Sequence, residues 1–270
     1  MRKQYFYFLA AVQFLTRIKV PLTAHYKPEY LERSSTYFPL VGVMVAAIGL
    51  LPYLLLSKYL SVDIAILGYM LTTIWITGAF HEDGWADTCD AFGGGWTKEK
   101  ILSIMKDSRL GTYGTIGLIG ILAAKFLLLK ELPGFNPPEI TSGMNPWLNY
   151  SGFLLLMLAA HSSSRLMAVL VIQQFSYVRE EEPGKSKPLS KSKLVPYELL
   201  LCGALAILPY LLLSPWYLLS LLPMFVAARE MGRYFKKWIG GYTGDCLGAV
   251  QQVTELIFYL TALIIWRYII

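Results

Sequence analysis

Asp83, Asp87 and Asp90 stand at i, i+4 and i+7 in the run FHEDGWADTCDAFGGG, residues 80–95. On an α-helix they project within about 60° of one another. Carboxylates grouped in this way repel each other, and beside hydrocarbon their charge is costly unless compensated. A divalent cation is the simplest compensation. Mg2+ takes oxygen ligands, usually one or two carboxylates completed by water and substrate phosphate. Glu82 points to a neighbouring face and Asp107 returns later in the segment; either can complete the site or hold a second ion. His81 reads equally as a catalytic base and as a hydrogen-bonding histidine. The plain alternative is a solvated acidic loop, against which the shared helical phase argues.

The neighbours of the acidic run suit phosphate. Gly93, Gly94 and Gly95 end the helix, because three glycines in a row propagate it poorly, and they permit close backbone approach. Lys106 and Arg109 flank Asp107; Arg offers a planar fork and Lys a point charge. Lys98 and Lys100 read as solvated surface charges. Further along, Arg165 follows His161, Ser162, Ser163 and Ser164 inside an apolar run. An ionisable residue in such a place faces a bundle interior or a cavity, so Arg165 is expected to bind substrate phosphate or to pair with the acidic site. The serines read as helix-packing residues. In GGYTGDCLGA, residues 240–249, Asp245 is expected either to cap the following helix or to serve as a remote metal ligand. The helix N-terminus at Gly244 can hold a phosphate. Glu255 reads as a paired structural residue, and Arg17 and Arg33 as snorkelling arginines.

Lipid is the solvent that the remaining chain implies. Of 270 residues, 55% are hydrophobic and only 16% charged, well below the roughly 25% of a soluble domain. The apolar residues lie in blocks of roughly 20, long enough to cross a hydrocarbon core as helices. The pattern predicts an all-α, polytopic integral membrane bundle forming a single catalytic domain, residues 1–270. It has about seven spans: 36–57, 62–80, 112–130, 151–175, 196–213, 216–231 and 248–268. An N-terminal interfacial or re-entrant helix, closed by Pro21, precedes them.

Lysine and arginine concentrate in alternate connections: residues 1–35, 81–111, 176–195 and the stretch after 231. That alternation predicts an N-terminus inside and the acidic segment on the cytoplasmic side of the inner membrane. The net charge of +6 is explained by this topology and calls for no nucleic acid. Residues 131–150 read as an external loop and 180–193 as a polar internal one. Cys89, Cys202 and Cys246 are widely spaced and read as reduced thiols.

FHEDGWADTCDAFGGG with IMKDSRLGTYG, residues 104–114, resembles the hallmark of the cobalamin synthase family, adenosylcobinamide-GDP ribazoletransferase. QFLTRIKVP, YFPLVG, the SSSR stretch and GYTGDCLGA follow in family order, so the resemblance covers essentially the whole chain. Trp85 stands where the family is expected to carry Leu, and no carboxylate is lost. The resemblance implies joining of adenosylcobinamide-GDP to alpha-ribazole or its 5′-phosphate, with release of GMP. It implies Mg2+ on Asp83, Asp87 and Asp90, phosphate contacts from Lys106, Arg109 and Arg165, and a proton acceptor among the carboxylates or His81. Its partners would be small corrinoid and ribazole substrates and membrane lipid. A homo-oligomer, or association with other corrinoid-assembly enzymes, is compatible with it.

Two other readings compete. A CDP-alcohol-type phosphotransferase needs an Arg after its first Asp-Gly, and none follows Asp83-Gly84 here. A cation-coupled transporter predicts acidic residues near mid-span, whereas this cluster sits at a span end.

Overall fold

The computed structural model describes residues 2–20, 29–132, 146–178 and 193–270. Pro21 and the stretches 133–145 and 179–192, which hold most of the two expected loops, lie outside them.

The described residues are helical nearly throughout. In chain order the helices are α1 (Arg2–Leu15), α2 (Glu29–Arg33), α3 (Phe38–Tyr59), α4 (Val62–Thr77), α5 (Phe80–Gly94) and α6 (Lys98–Ile104). Then follow α7 (Thr112–Glu131), α8 (Pro146–Gln174), α9 (Pro196–Ile207), α10 (Leu221–Ile239) and α11 (Gly244–Tyr268). The one extended pairing among them is an isolated bridge between Tyr177 and Tyr242. Side-chain caps start three of the helices. Ser61 accepts from the N–H of Ile64, Thr97 from that of Lys100, and Thr243 from that of Cys246.

The architecture is that of an integral membrane helical bundle, but with fewer full spans than seven. Among the described residues four helical stretches are long and apolar enough to cross: Tyr30–Tyr59, Thr112–Glu131, Gly152–Gln174 and Gly244–Tyr268. A fifth exists if α4 and α5, bent by 86°, count as one broken span. Each of the missing spans has a local cause. The run 62–80 stops early because Gly78 and Ala79 both take left-handed backbone, with φ of 68° and 57°. That geometry ends α4 and turns the chain into α5; for Ala79 it costs about 1–2 kcal/mol. The expected fifth span is a 12-residue helix followed by a 3-10 turn, Leu208–Leu212. The expected sixth begins as a 3-10 turn, Pro215–Ser220, and continues as α10, whose later half exposes Arg229, Arg233, Lys236 and Lys237.

α1 has 14 residues and spans about 21 Å, too short to cross. It docks on the bundle instead. Phe6 stacks on Tyr30 at 5.1 Å, and the N–H of Arg17 donates to the carbonyl of Ile76 at 2.8 Å. Arg33 does not snorkel: its Nη1 donates to the Lys193 carbonyl and to Glu198 Oε2, at 2.8 and 2.9 Å.

Glycines set the closest helix crossings. A Cβ on Gly84 of α5 would stand 2.9 Å from the Asp245 carbonyl oxygen of α11, and one on Gly248 would stand 3.2 Å from Gly84 Cα. Along this seam Gly84 meets Asp245, His81 meets Gly248 and Glu82 meets Gln252, so the two helices run antiparallel. α8 is also antiparallel to α11, while α7 runs with it. The C-terminal end of α5 and the N-terminal ends of α7 and α11 therefore share one end of the bundle.

Candidate active site

The acidic run is helical from end to end, and it carries Asp83 and Asp87 on one face of α5. Asp83 is exposed and Asp87 half-buried. The Gly84–Gly248 crossing lays the backbone of Asp245 directly on this turn of α5. Asp245 is not the cap of α11, because Thr243 fills that place with its hydroxyl 3.3 Å from the N–H of Cys246. Instead it sits in the first turn of α11, where a negative charge is favoured by the helix dipole. The backbone of Asp245 thus lies against the turn of α5 that carries Asp83 and Asp87, 162 and 158 positions earlier in sequence.

Asp90 shares the helical phase but has another task. Its Oδ2 accepts from the N–H of Gly111 at 2.7 Å and its Oδ1 from that of Gly114 at 2.8 Å. These are orphan donors of the first turn of α7, so α5 caps α7 in trans. A side chain on either glycine would collide with the carboxylate. Glu82 turns to the opposite side and is buried. Its Oε1 accepts from Gln252 Nε2 at 2.9 Å, and its Oε2 has no hydrogen-bond partner among the described residues.

Asp107 and Arg109 are occupied with each other. Arg109 Nε lies 2.9 Å from Asp107 Oδ1, and Nη2 lies 2.5 Å from Oδ2. Hydrogen bonding by the Arg109 guanidinium pulls the Asp107 carboxyl down to about 2. Lys106 is exposed. Its neighbour Met105 accepts from the Thr243 hydroxyl at 3.3 Å, which places this turn beside the start of α11.

Three of the residues singled out by sequence meet in one pocket. His81, Arg165 and Gly244 line it with Phe14, Phe38 and Phe80. Arg165 is buried; its Nη1 donates to the His161 carbonyl at 3.0 Å, and its Nε has no partner among the described residues. The serines before it serve packing. Ser162 bonds across to the Ala206 carbonyl of α9 at 2.9 Å, and Ser164 accepts from Gln251 at 3.2 Å.

Behind the pocket runs a buried polar network. Lys125 of α7 stands 3.1 Å from Glu255 Oε1 and 3.0 Å from Gln252 Oε1. Glu255 also accepts from Tyr259 at 3.0 Å and Gln251 at 2.5 Å, with His161 3.5 Å away and itself bonded to Tyr69 at 2.8 Å. The paired role expected of Glu255 is seen here. Lys125, its partner, escaped the sequence reading; a lysine in the middle of the apolar run 112–130, away from the Lys130 at its end, was the signal.

Among the described residues no group of three or more His, Cys, Asp and Glu side chains closes on a common point. Mg2+ needs no such cage: two carboxylates, water and phosphate oxygens satisfy it. Asp87 on α5 and Asp245 in the first turn of the helix packed against it are oxygen donors of the kind that would suit such an ion, with Asp83 exposed on the same face of α5 as Asp87.

The chain matches the family described as cobalamin-5-phosphate synthase over residues 7–263. It is 43% identical over 267 residues to an adenosylcobinamide-GDP ribazoletransferase of Leptospira interrogans, covering 96% of each chain. It is 39% identical over 260 residues to the protein of that name in Shewanella amazonensis, covering 96% of this chain and 95% of that one. No solved structure matches it. A single family match spans the helices that carry the acidic face, the pocket and the buried network: the chain belongs to the cobalamin-5-phosphate synthase family.

Proposed function

We propose that this protein is an adenosylcobinamide-GDP ribazoletransferase, performing the final nucleotide-loop assembly of cobalamin biosynthesis. It joins adenosylcobinamide-GDP to alpha-ribazole, or its 5′-phosphate, and gives adenosylcobalamin, or its 5′-phosphate, plus GMP. The observation that carries this reading is the match of 96% of the chain to a transferase of that name, supported by the packing of the Asp245 backbone on the α5 turn of Asp83 and Asp87.

A ribose hydroxyl oxygen attacks the phosphorus attached to the cobinamide arm. The new O–P bond forms as the bond to the bridging diphosphate oxygen breaks, and GMP leaves with that oxygen. The hydroxyl proton passes to Asp83, the most exposed of the three carboxylates, and Asp87 and Asp245 supply oxygens for Mg2+. An Mg2+ held by these residues would supply neutralisation of the diphosphate charge and of the charge that develops on the leaving phosphate. Lys106 and the N-terminus of α11 at Gly244 face the phosphates from the adjoining turn. Arg165 lends positive potential from inside the pocket. His81 stands on the pocket wall beside the reacting groups.

The reaction takes place on the cytoplasmic side of the inner membrane, with the N-terminus inside. Supporting this are the alternation of basic connections and the shared bundle end of α5, α7 and α11. Purified protein in nanodiscs, given adenosylcobinamide-GDP, alpha-ribazole and Mg2+, is expected to release GMP in step with corrinoid product. No release under conditions where a relative turns over would overturn the reading. Thiol labelling of a cysteine placed at Trp96 would report its side of the membrane.

A further inference from the structure

The pocket beside the acidic face has a distinctive wall. Phe14 stacks on Phe38 with centroids 5.8 Å apart and meets Phe80 edge-on at 5.4 Å; Phe80 meets His81 edge-on at 5.4 Å. Into this aromatic surround reaches one buried cation, Arg165, whose Nε lacks a hydrogen-bond partner among the described residues. The pocket is lined by residues next in sequence or in helical phase to the acidic ones. Phe80, Asp83 and Asp87 fall at i, i+3 and i+7 on α5, within about 60° of each other. On α11, Gly244 lines the pocket and Asp245 follows it.

Such a wall is selective. Aromatic side chains suit a flat apolar ring system in stacked or edge-on contact. A buried N–H without a partner is costly, and an acceptor lying in the plane of that ring would relieve it. Guanine carries several donors and acceptors that this wall would leave unpaired, a strong ground for rejection. The ribazole base, a methylated benzimidazole, is flat, apolar and has a single unprotonated ring nitrogen.

We propose that this pocket is the subsite for the base of the nucleoside acceptor, with Arg165 Nε–H donating to the ring nitrogen. The proposal rests on the transferase reading above. With the base between Phe14, Phe38 and Phe80, the ribose lies at the mouth, where Phe80 gives way to Asp83 and Asp87. The free space between the side chains is about 20 Å³, room for little more than a water, so the rings of Phe14 and Phe80 turn aside to admit the base.

The test uses full-length protein in nanodiscs and two opposite substitutions. Phe80→Leu removes aromatic surface, and Ala168→Leu fills the pocket from α8. Each is expected to raise the KM for alpha-ribazole about tenfold while leaving the KM for adenosylcobinamide-GDP unchanged. A third measurement changes the ligand and leaves the protein intact: a ribosylindole with the same methyl groups and anomeric configuration, in which carbon replaces the ring nitrogen, should bind about tenfold more weakly than alpha-ribazole. Wild-type turnover with an unchanged alpha-ribazole KM in both variants overturns the pocket and leaves the transferase reading standing. Equal binding of ribosylindole overturns the role of Arg165 Nε. Absence of wild-type turnover overturns the transferase reading; equilibrium binding of labelled alpha-ribazole, and its loss in Ala168→Leu, then decides the pocket separately.

Discussion

Lys125 Nζ stands 3.1 Å from Glu255 Oε1, with both side chains less than a tenth exposed, in helices that lipid surrounds. Neither charge has water to turn to. Removing one partner strands the other, a loss of about 3–5 kcal/mol for a buried pair. Lys125→Met should therefore lower the thermal unfolding midpoint of the solubilised protein strongly. Lys125→Met with Glu255→Leu should recover much of the loss, since no net charge is then left in that part of the core. A double variant no more stable than the singles would show that the two residues act independently.

Asp90 predicts a separation of effects along one helix face. Its carboxylate holds the first turn of α7, so Asp90→Ala should cost about 1–2 kcal/mol of stability, as lost caps do. Asp90→Asn keeps one acceptor and should retain measurable turnover. Asp83→Asn, Asp87→Asn and Asp245→Asn should leave unfolding nearly unchanged and lower kcat by on the order of 10²–10³-fold. Measuring melting and turnover on the same preparations distinguishes the two classes. An Asp90→Asn protein that melts normally yet is inactive would return Asp90 to the metal site.

The contrast shows what a sequence can carry. Helical phase is local, so the common face of Asp83, Asp87 and Asp90 was readable from spacing. The task of Asp90 depends on Gly111 and Gly114, 21 and 24 residues on, and no periodicity announces a cap supplied by another helix. Hydropathy likewise sums over side chains and is blind to φ. The apolar stretch 62–80 looks continuous although Gly78 and Ala79 turn the chain. The partnership of Asp245 with α5 needed the Gly84–Gly248 contact, which joins two motifs 164 residues apart whose internal spacing says nothing of each other. The pocket wall draws its rings from α1, α3 and α5, so no single motif contains it.

Acid should act on the Asp107–Arg109 pair only at extreme pH. The Arg109 guanidinium lowers the Asp107 carboxyl from its ordinary value near 3.8 to about 2. A depressed carboxylate contributes its pairing above the unfolded value and loses it as pH falls through the folded one, here between about 4 and 2. The pair is therefore ionised across pH 5–8 and adds no inflection to the pH–rate profile there. Arg109→Ala should return the Asp107 titration to about 3.9, read by carboxyl-carbon resonance in selectively labelled protein. An unshifted resonance in the variant would mean that Arg109 is not the cause.

The Gly84–Gly248 seam yields the sharpest test of the site's construction. A methyl group at Gly84 would meet the Asp245 carbonyl oxygen at 2.9 Å and its Cα at 3.1 Å, and backbone cannot rotate away as a side chain can. The helices must part, so Gly84→Ala should cost about 1–3 kcal/mol as an overpacked contact does. It should also carry Asp245 away from Asp83 and Asp87, so turnover should fall even at temperatures where the variant remains folded. Gly120 and Gly203 also lie within helices, but nothing stands within 4 Å of a Cβ there. Alanine at either should be neutral or stabilise by roughly 0.5–1 kcal/mol through helix propensity, with turnover unchanged. Should Gly84→Ala instead keep full activity, the three carboxylates would not need the contact that brings α11 onto α5, and Asp245 would leave the proposed metal site.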